Sequence, residues 1–164
     1  MIILGIDTSL RSTGYGVLET AGSRLRALAY GRIRNAPSEP VSACLKRIHA
    51  DISALIELWH PEVLSVEKVI YGKNANTMML LGEARGAVIV AGTAANLPIY
   101  EYEPRRVKTA VCGHGMAEKP QVQRMIKVLL GLDAEPQNDA ADALALAVCH
   151  AHAGSLVAFS STRV

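Results

Sequence analysis

The 164-residue sequence predicts an α/β domain: a five-stranded mixed sheet, three antiparallel strands followed by two parallel ones, flanked by helices. Three observations predict it. Residues 1–7 form a nearly continuous apolar run closed by Asp7, which reads as a buried central strand with an acid at its C-terminal edge. Two further β-patterned segments, 14–19 and 25–33, follow at hairpin spacing. The next strand candidate, 63–69, comes only after a helix-patterned stretch, the crossover that parallel pairing requires.

Each element has its local reason. Residues 8–13 are a polar turn between the first two strands. Pro37 and Pro40 break the β pattern, and Val41, Leu45, Ile48, Ile52, Leu55, Ile56 and Trp59 then recur at helical spacing until His60-Pro61. In the fourth strand Val63, Ser65, Glu67 and Val69 share one face, and a glutamate inside a strand is costly to bury without a partner cation or metal. After the polar loop 71–76, residues 77–95 are apolar almost all round, so that helix is expected to be covered on more than one side, with Gly82 and Gly86 making a small face for close approach to the sheet, the reading preferred over close approach to another helix in a dimer. Residues 98–102 read as a fifth strand. Residues 105–111 and 119–130 read as helices joined by a Gly113-His114-Gly115 hinge, with Pro120 in a first turn. A last helix opens at Asn138. The expected organisation is one domain over 1–153 and a short frayed tail over 154–164.

Composition narrows the function classes. Cys44, Cys112 and Cys149 are an odd number without metal-ligand spacing, which predicts buried thiols and a reducing cytoplasm. The most apolar run, 78–97, is interrupted by Glu83 and Arg85, so no membrane span is expected. The net charge of +2 hides a regional excess: Arg105, Arg106, Lys108, Lys119, Arg124 and Lys127 share their stretch with one acid, Glu118, as a phosphate-binding surface or a solvated helical face would.

The acids carry the sharper signal. Asp139 and Asp142, at i and i+3, lie on one face of an alanine-rich helix, where an acid pair can simply cap the helix with Asn138 and complement its dipole. The strand order offers a second explanation. It brings Asp7 and Glu67 onto neighbouring parallel strands, and the C-terminal helix can be laid beside them.

At this point the sequence resembles the RuvC-type crossover junction endodeoxyribonucleases, bacterial Holliday-junction resolvases with an RNase H-like fold. The resemblance covers about residues 1–153. It rests on Ile3-Leu4-Gly5-Ile6-Asp7 with Thr13-Gly14-Tyr15-Gly16, Val66-Glu67 with Lys73-Asn74-Ala75, Leu81-Gly82-Glu83-Ala84-Arg85-Gly86, Val107-Lys108, Ala117-Glu118-Lys119 and the run from Asp139 to Ala145. It implies that Asp7, Glu67, Asp139 and Asp142 are catalytic acids acting on four-way junction DNA. It places Lys108 and Lys119 near the scissile phosphate, where surface phosphate clamps would look the same. It also implies a homodimer and, as partners, branch-migration proteins of the RuvA and RuvB type. Two departures stand out: Thr8-Ser9 replaces the Pro-Gly common after the first aspartate, and Ile70 stands where relatives often carry an aromatic wedge.

Four carboxylates without a cysteine or histidine ligand favour Mg²⁺, two ions per site with Mn²⁺ able to substitute, over zinc. Asp7 is expected to bridge, Glu67 and Asp142 each to complete one shell, and Asp139 to bind metal or orient water. Arg105, Arg106, Arg124 and Lys127 are expected backbone contacts. Ile70, Tyr71, Lys73, Asn74 and Asn76 could meet the junction centre, or form a plain polar loop. His114 reads as hinge. The opening Gly5-Ile6-Asp7-Thr8-Ser9 also resembles the phosphate loop of actin-like ATPases and the first strand of a silent scaffold subunit of a tRNA-modification complex. The ATPase would need a second domain, and the scaffold has no use for Glu67 and the Asp139/Asp142 pair. A nuclease of the same fold acting on other branched or RNA-containing substrates is the closer rival.

Overall fold

The computed structural model describes residues 1–69, 74–153 and 162–164. The chain opens with β1 (Ile2–Asp7), β2 (Ser12–Ala21) and β3 (Arg24–Arg34), then α1 (Val41–Trp59), β4 (Val63–Glu67), α2 (Ala75–Ala94) and β5 (Ile99–Tyr102). It continues with α3 (Pro104–Cys112), α4 (Lys119–Leu130), α5 (Asn138–Ala153) and a two-residue β6 (Thr162–Arg163).

The sheet order is β3-β2-β1-β4-β5-β6. The first three strands are antiparallel, β1, β4 and β5 run parallel, and β6 pairs antiparallel with β5. The five expected strands are thus present. The sixth places Thr162 and Arg163 on the sheet edge, where a frayed end was expected. Two residues with no β-pattern of their own gave no sequence signal for this pairing.

Strand alternation sorts the core into two layers. Leu4, Ile6, Val17, Leu64 and Val66 pack with Cys44, Ile48, Ile52, Ile56, Ala84 and Val88 of α1 and α2. On the other face Ile3, Leu18 and Val63 pack with Val107, Val111, Val122, Ile126 and Leu144 of α3, α4 and α5. Residues at even register from β1, with their cross-strand partners, therefore belong to the α1–α2 face. Gly5, Asp7, Ser65 and Glu67 belong to the α5 face. Cys44 and Cys149 are buried, and all three cysteines are free thiols.

Three expectations are corrected. A Cβ added at Gly82 or Gly86 would meet none of the described residues within 4 Å, so these glycines are not packed against the sheet. They lie instead on an open stripe of α2 with Met79, 65% exposed, and Val90, 55% exposed. An all-round apolar helix need not be covered all round within one chain. Secondly, Glu67 is the last residue of β4 and not an interior one, so it stands at the mouth of the sheet. Thirdly, α5 begins at Asn138 itself, and the Gln137 carbonyl accepts from Ala141 N at 2.8 Å. Gln137 rather than Asn138 therefore holds the cap position.

Candidate active site

Three glycines, Gly5, Gly14 and Gly16, explain how α5 reaches the sheet. In the β1–β2 register Gly5 faces Gly16 and Asp7 faces Gly14. A side chain on Gly5 would overlap the Ala143 carbonyl, and one on Gly14 would overlap the Asp139 carbonyl. The α5 backbone thus lies directly on β1 and β2, and the Ser65 hydroxyl fastens it further by donating to Leu146 O at 2.9 Å. Close approach of backbone to backbone is what strand glycines permit. Its consequence is that the first turns of α5 lie at the end of the sheet where Asp7 and Glu67 stand: Asp142 lines a cavity with both, and the Asp139 backbone rests on Gly14, the cross-strand partner of Asp7.

A cavity of about 300 Å³ lies at this meeting point, lined by Asp7, Glu67, Pro104, Val107, Lys108, Lys119, Val122, Asp142, Ala145 and Leu146. A second, of about 230 Å³, opens from the other side of Asp7 and Glu67 towards Thr8, Lys68, Leu81 and Arg85. Among the described residues no hydrogen bond or ion pair reaches the carboxylates of Asp7 and Glu67. Asp142 Oδ2 takes Lys119 Nζ at 3.3 Å. Asp139 Oδ2 accepts from the Ser12 hydroxyl and lies 3.7 Å from Arg32 Nη1.

The electrostatics follow from crowding. Asp7 is pushed up to about 7, first by burial, then by repulsion from Asp142, Glu67 and Asp139, with Lys119 opposing. Glu67 is raised by desolvation and by Asp142. Asp142 is raised by burial despite Lys119. Lys119 is raised chiefly by the charge of Asp142, so it stays protonated at neutral pH. A cluster that holds its own acids above their ordinary range is one that a cation would relieve.

Whether these residues suit a metal can be judged from the donor set. All are hard oxygen donors, as Mg²⁺ and Mn²⁺ prefer. Among the described residues no three acidic, histidine or cysteine side chains converge closely enough to hold an ion as they stand. Asp139 and Asp142 each have an oxygen engaged by a neighbouring donor, while Asp7 and Glu67 have none. The donor chemistry suits a divalent ion, and Asp139 and Asp142 each keep a second oxygen that no described donor takes.

A family model described as crossover junction endodeoxyribonuclease RuvC matches residues 3–150. The chain belongs to the RuvC family. The curated RuvC of Photobacterium profundum is 48% identical over 151 residues, 92% of this chain and 87% of the relative. That of Geobacter sp. strain M21 is 47% identical over 158 residues, 96% of each. The structure of Thermus thermophilus RuvC in complex with Holliday junction substrate superposes with a TM-score of 0.93 at 32% identity, covering 100% of this chain and 99% of that one. The RNase H-like fold of the RuvC family is thereby this chain's fold.

The basic residues divide into two groups. Lys108 and Lys119 line the carboxylate cavity. Arg106 does not face it: its guanidinium lies 5.2 Å from the Tyr102 ring centroid, in the packing between α3 and α5. Arg105 is exposed, with Nη2 3.8 Å from Met116 Sδ. Arg124 shares a depression with Cys112 and His114 that has no residue in common with the carboxylate cavity. Gly113 closes α3 at φ +81 in the left-handed region, and His114 follows it between α3 and α4. Lys127 lies in the last turn of α4. Asn74 caps α2, its Oδ1 accepting from Thr77 N at 3.1 Å, and Asn76 is exposed in the first turn. Ile70, Tyr71 and Lys73 lie outside the described residues.

Sequence reasoning missed Ser12 and Arg32, the partners of Asp139, and the half-buried pair Arg85–Glu101 beside the second cavity, at 2.6 Å. It also missed how Thr8-Ser9 is held. The Thr13 hydroxyl, fully buried, donates to Ser9 O at 2.5 Å and accepts from Ser9 N at 3.4 Å, fixing the turn without Pro-Gly. The alternation of glycines in Thr13-Gly14-Tyr15-Gly16 was the one available signal, since strand glycines mark close approach.

Proposed function

We propose that this chain is a structure-selective endodeoxyribonuclease that resolves four-way (Holliday) DNA junctions by paired symmetric nicks, leaving 5′-phosphates, in recombination and repair. The observation that carries this reading is that Asp7, Glu67 and Asp142, from β1, β4 and α5, line one cavity with Lys108 and Lys119, in a chain of the RuvC family. Two Mg²⁺ ions, or Mn²⁺ in their place, would supply an activated water and stabilise the leaving oxygen. Asp7, at the centre of the sheet edge, would bridge them. Glu67 and Asp142 would each complete one side.

The chain's own residues supply the rest. Lys119, protonated and already drawn to Asp142, is placed to offset charge that builds on the scissile phosphate, and Lys108 lines the same cavity. Asp139 is placed to hold metal or orient water. Arg105, Arg124 and Lys127 are proposed phosphate contacts that make binding fall steeply with salt; Arg106 is withdrawn because it packs on Tyr102. Asn74 serves as a helix cap, and Asn76 remains a proposed contact, with Ile70, Tyr71 and Lys73, towards the junction centre.

A junction of near two-fold symmetry needs two sites, which a C2 homodimer provides. The open stripe Met79, Gly82, Gly86 and Val90 on α2 is the face we assign to the second copy. RuvA- and RuvB-type branch-migration proteins are the proposed partners. No described helix is long and apolar enough to cross a membrane, and a cytoplasmic location is part of the proposal.

The test is to incubate the purified protein with a mobile four-way junction, a linear duplex and an RNA–DNA hybrid, with Mg²⁺ or with EDTA. Metal-dependent symmetric nicks confined to the junction are expected. Equal cutting of the hybrid would move the assignment to the rival nuclease class.

A further inference from the structure

We propose that Ser12 and Arg32 are positioning residues that hold Asp139 by one carboxylate oxygen, so that Asp139 serves the active site through its other oxygen alone. This rests on the reading of Asp139 as an active-site acid.

The geometry begins in the register of the antiparallel strands. Ser12 and Gly14 lie on the α5 face of β2, two residues apart, and Gly14 pairs with Arg32 of β3. Because Gly14 has no side chain, the first turn of α5 settles onto β2 with the Asp139 backbone against it. The same absence clears a path for Arg32, one strand further out, to reach across Gly14 to the Asp139 carboxylate. Ser12 reaches it from along the strand. Both arrive at Oδ2: the Ser12 hydroxyl donates to it, and Arg32 Nη1 lies 3.7 Å from it. No described donor takes Oδ1.

The carboxylate loses its freedom to rotate, because a side chain gripped from two elements cannot exchange its oxygens without breaking both contacts. Asp139 thus differs from Asp7 and Glu67, which no described donor holds. Outer residues that orient a ligand commonly matter about tenfold or more to metal affinity when removed.

The test uses DNA-free protein and Mn²⁺ binding followed by electron paramagnetic resonance, with melting in EDTA to report the fold. Ser12→Ala leaves the charge unchanged and should weaken Mn²⁺ binding about tenfold, whereas Ser12→Thr, which keeps the hydroxyl, should bind as the parent does. Arg32→Lys, which keeps the charge but shortens the reach, should lose affinity in the same direction. Junction binding in EDTA should be unchanged in all three. Parent-like Mn²⁺ binding by Ser12→Ala, with Asp139→Asn impaired, would overturn the clamp and leave Asp139 as an active-site acid. Parent-like binding by Asp139→Asn would overturn both readings. Loss of junction binding in EDTA by Arg32→Lys, with Mn²⁺ binding intact, would make Arg32 a DNA contact and overturn its positioning role.

Discussion

Lys119, the first residue of α4, places its ammonium 3.3 Å from Asp142 Oδ2, across the junction of α4 with α5. Its side chain is 72% exposed, so the pair does little for stability. What it does is keep a cation fixed at the carboxylate cavity. Pro120 in the first turn, and the 2.7 Å bond from Glu118 N to Gln121 Oε1, set where the helix begins and therefore where Lys119 stands. Lys119→Met should lower kcat for junction cleavage about 10²-fold, the scale of a lost electrostatic stabiliser. Its unfolding free energy should change by no more than about 1 kcal/mol. Single-turnover cleavage beside a urea titration checks both.

Asp7 carries a cost in the metal-free protein. With a folded-state pKa of about 7 against an ordinary 3.8, the folded chain takes up a proton between those values that the unfolded chain does not. Stability in EDTA should therefore rise as pH falls through 7 and cease to gain from this group below about 4, with a span on the order of a few kcal/mol. Glu67 and Asp142, raised in the same direction, add to the trend. A divalent ion competes with that proton. The increase in Tm on adding Mg²⁺ should be larger at pH 8 than at pH 5.5, as differential scanning fluorimetry would record.

The same cost makes Asp7→Asn a stabilising substitution. Removing the charge relieves both burial and repulsion, so the variant should melt several degrees above the parent in EDTA near pH 8. Its Tm should respond little to Mg²⁺. A variant that melts lower would mean that Asp7 is held by contacts not seen here.

Gly14→Ala would drive a methyl into the Asp139 carbonyl, and the first turn of α5 would have to lift. Overpacking of this kind costs about 1–3 kcal/mol. The expected result is a drop in Tm together with loss of cleavage far beyond the stability change, because Asp139 and Asp142 move with the helix. Cleavage by a folded Gly14→Ala variant at the parent's rate would show that α5 does not set the site.

Gly86→Glu tests the open stripe of α2. A Cβ added at Gly86 meets none of the described residues within 4 Å, and helix propensity improves over glycine, so the fold should be retained by circular dichroism. A charge at a two-fold interface would face its own copy. The variant should sediment as a monomer and nick junctions in one strand without pairing the cuts. A dimer of unchanged strength would place the interface elsewhere.

Much of this arrangement was legible in the sequence, because strand order alone brings Asp7 and Glu67 side by side, and periodicity assigns them to one face. The i, i+3 spacing of Asp139 and Asp142 gave a shared helix face but left capping and catalysis open, and only the docking of α5 on Gly5 and Gly14 shows which end of the sheet they reach. Ser12 and Arg32 were not legible. Ser12 is 127 positions from its acceptor, and no local pattern announces a contact made across another strand. Gly82 and Gly86 were misread for a related reason: a small-residue stripe says that something comes close, and the chain by itself does not say whether it is a sheet or a second copy. Arg106 joined the basic cluster by sequence position, whereas helix geometry turned it onto Tyr102.

Whether the four acids act as one metal-dependent site on four-way junctions is decided by mapping cleavage of an end-labelled mobile junction by the parent and by Asp7→Asn, each with Mg²⁺ and with EDTA. Symmetric paired nicks are expected from the parent with Mg²⁺, none in EDTA, and none from Asp7→Asn although it still binds the junction. Cleavage by Asp7→Asn at the parent's positions and rate would contradict a single metal-dependent site.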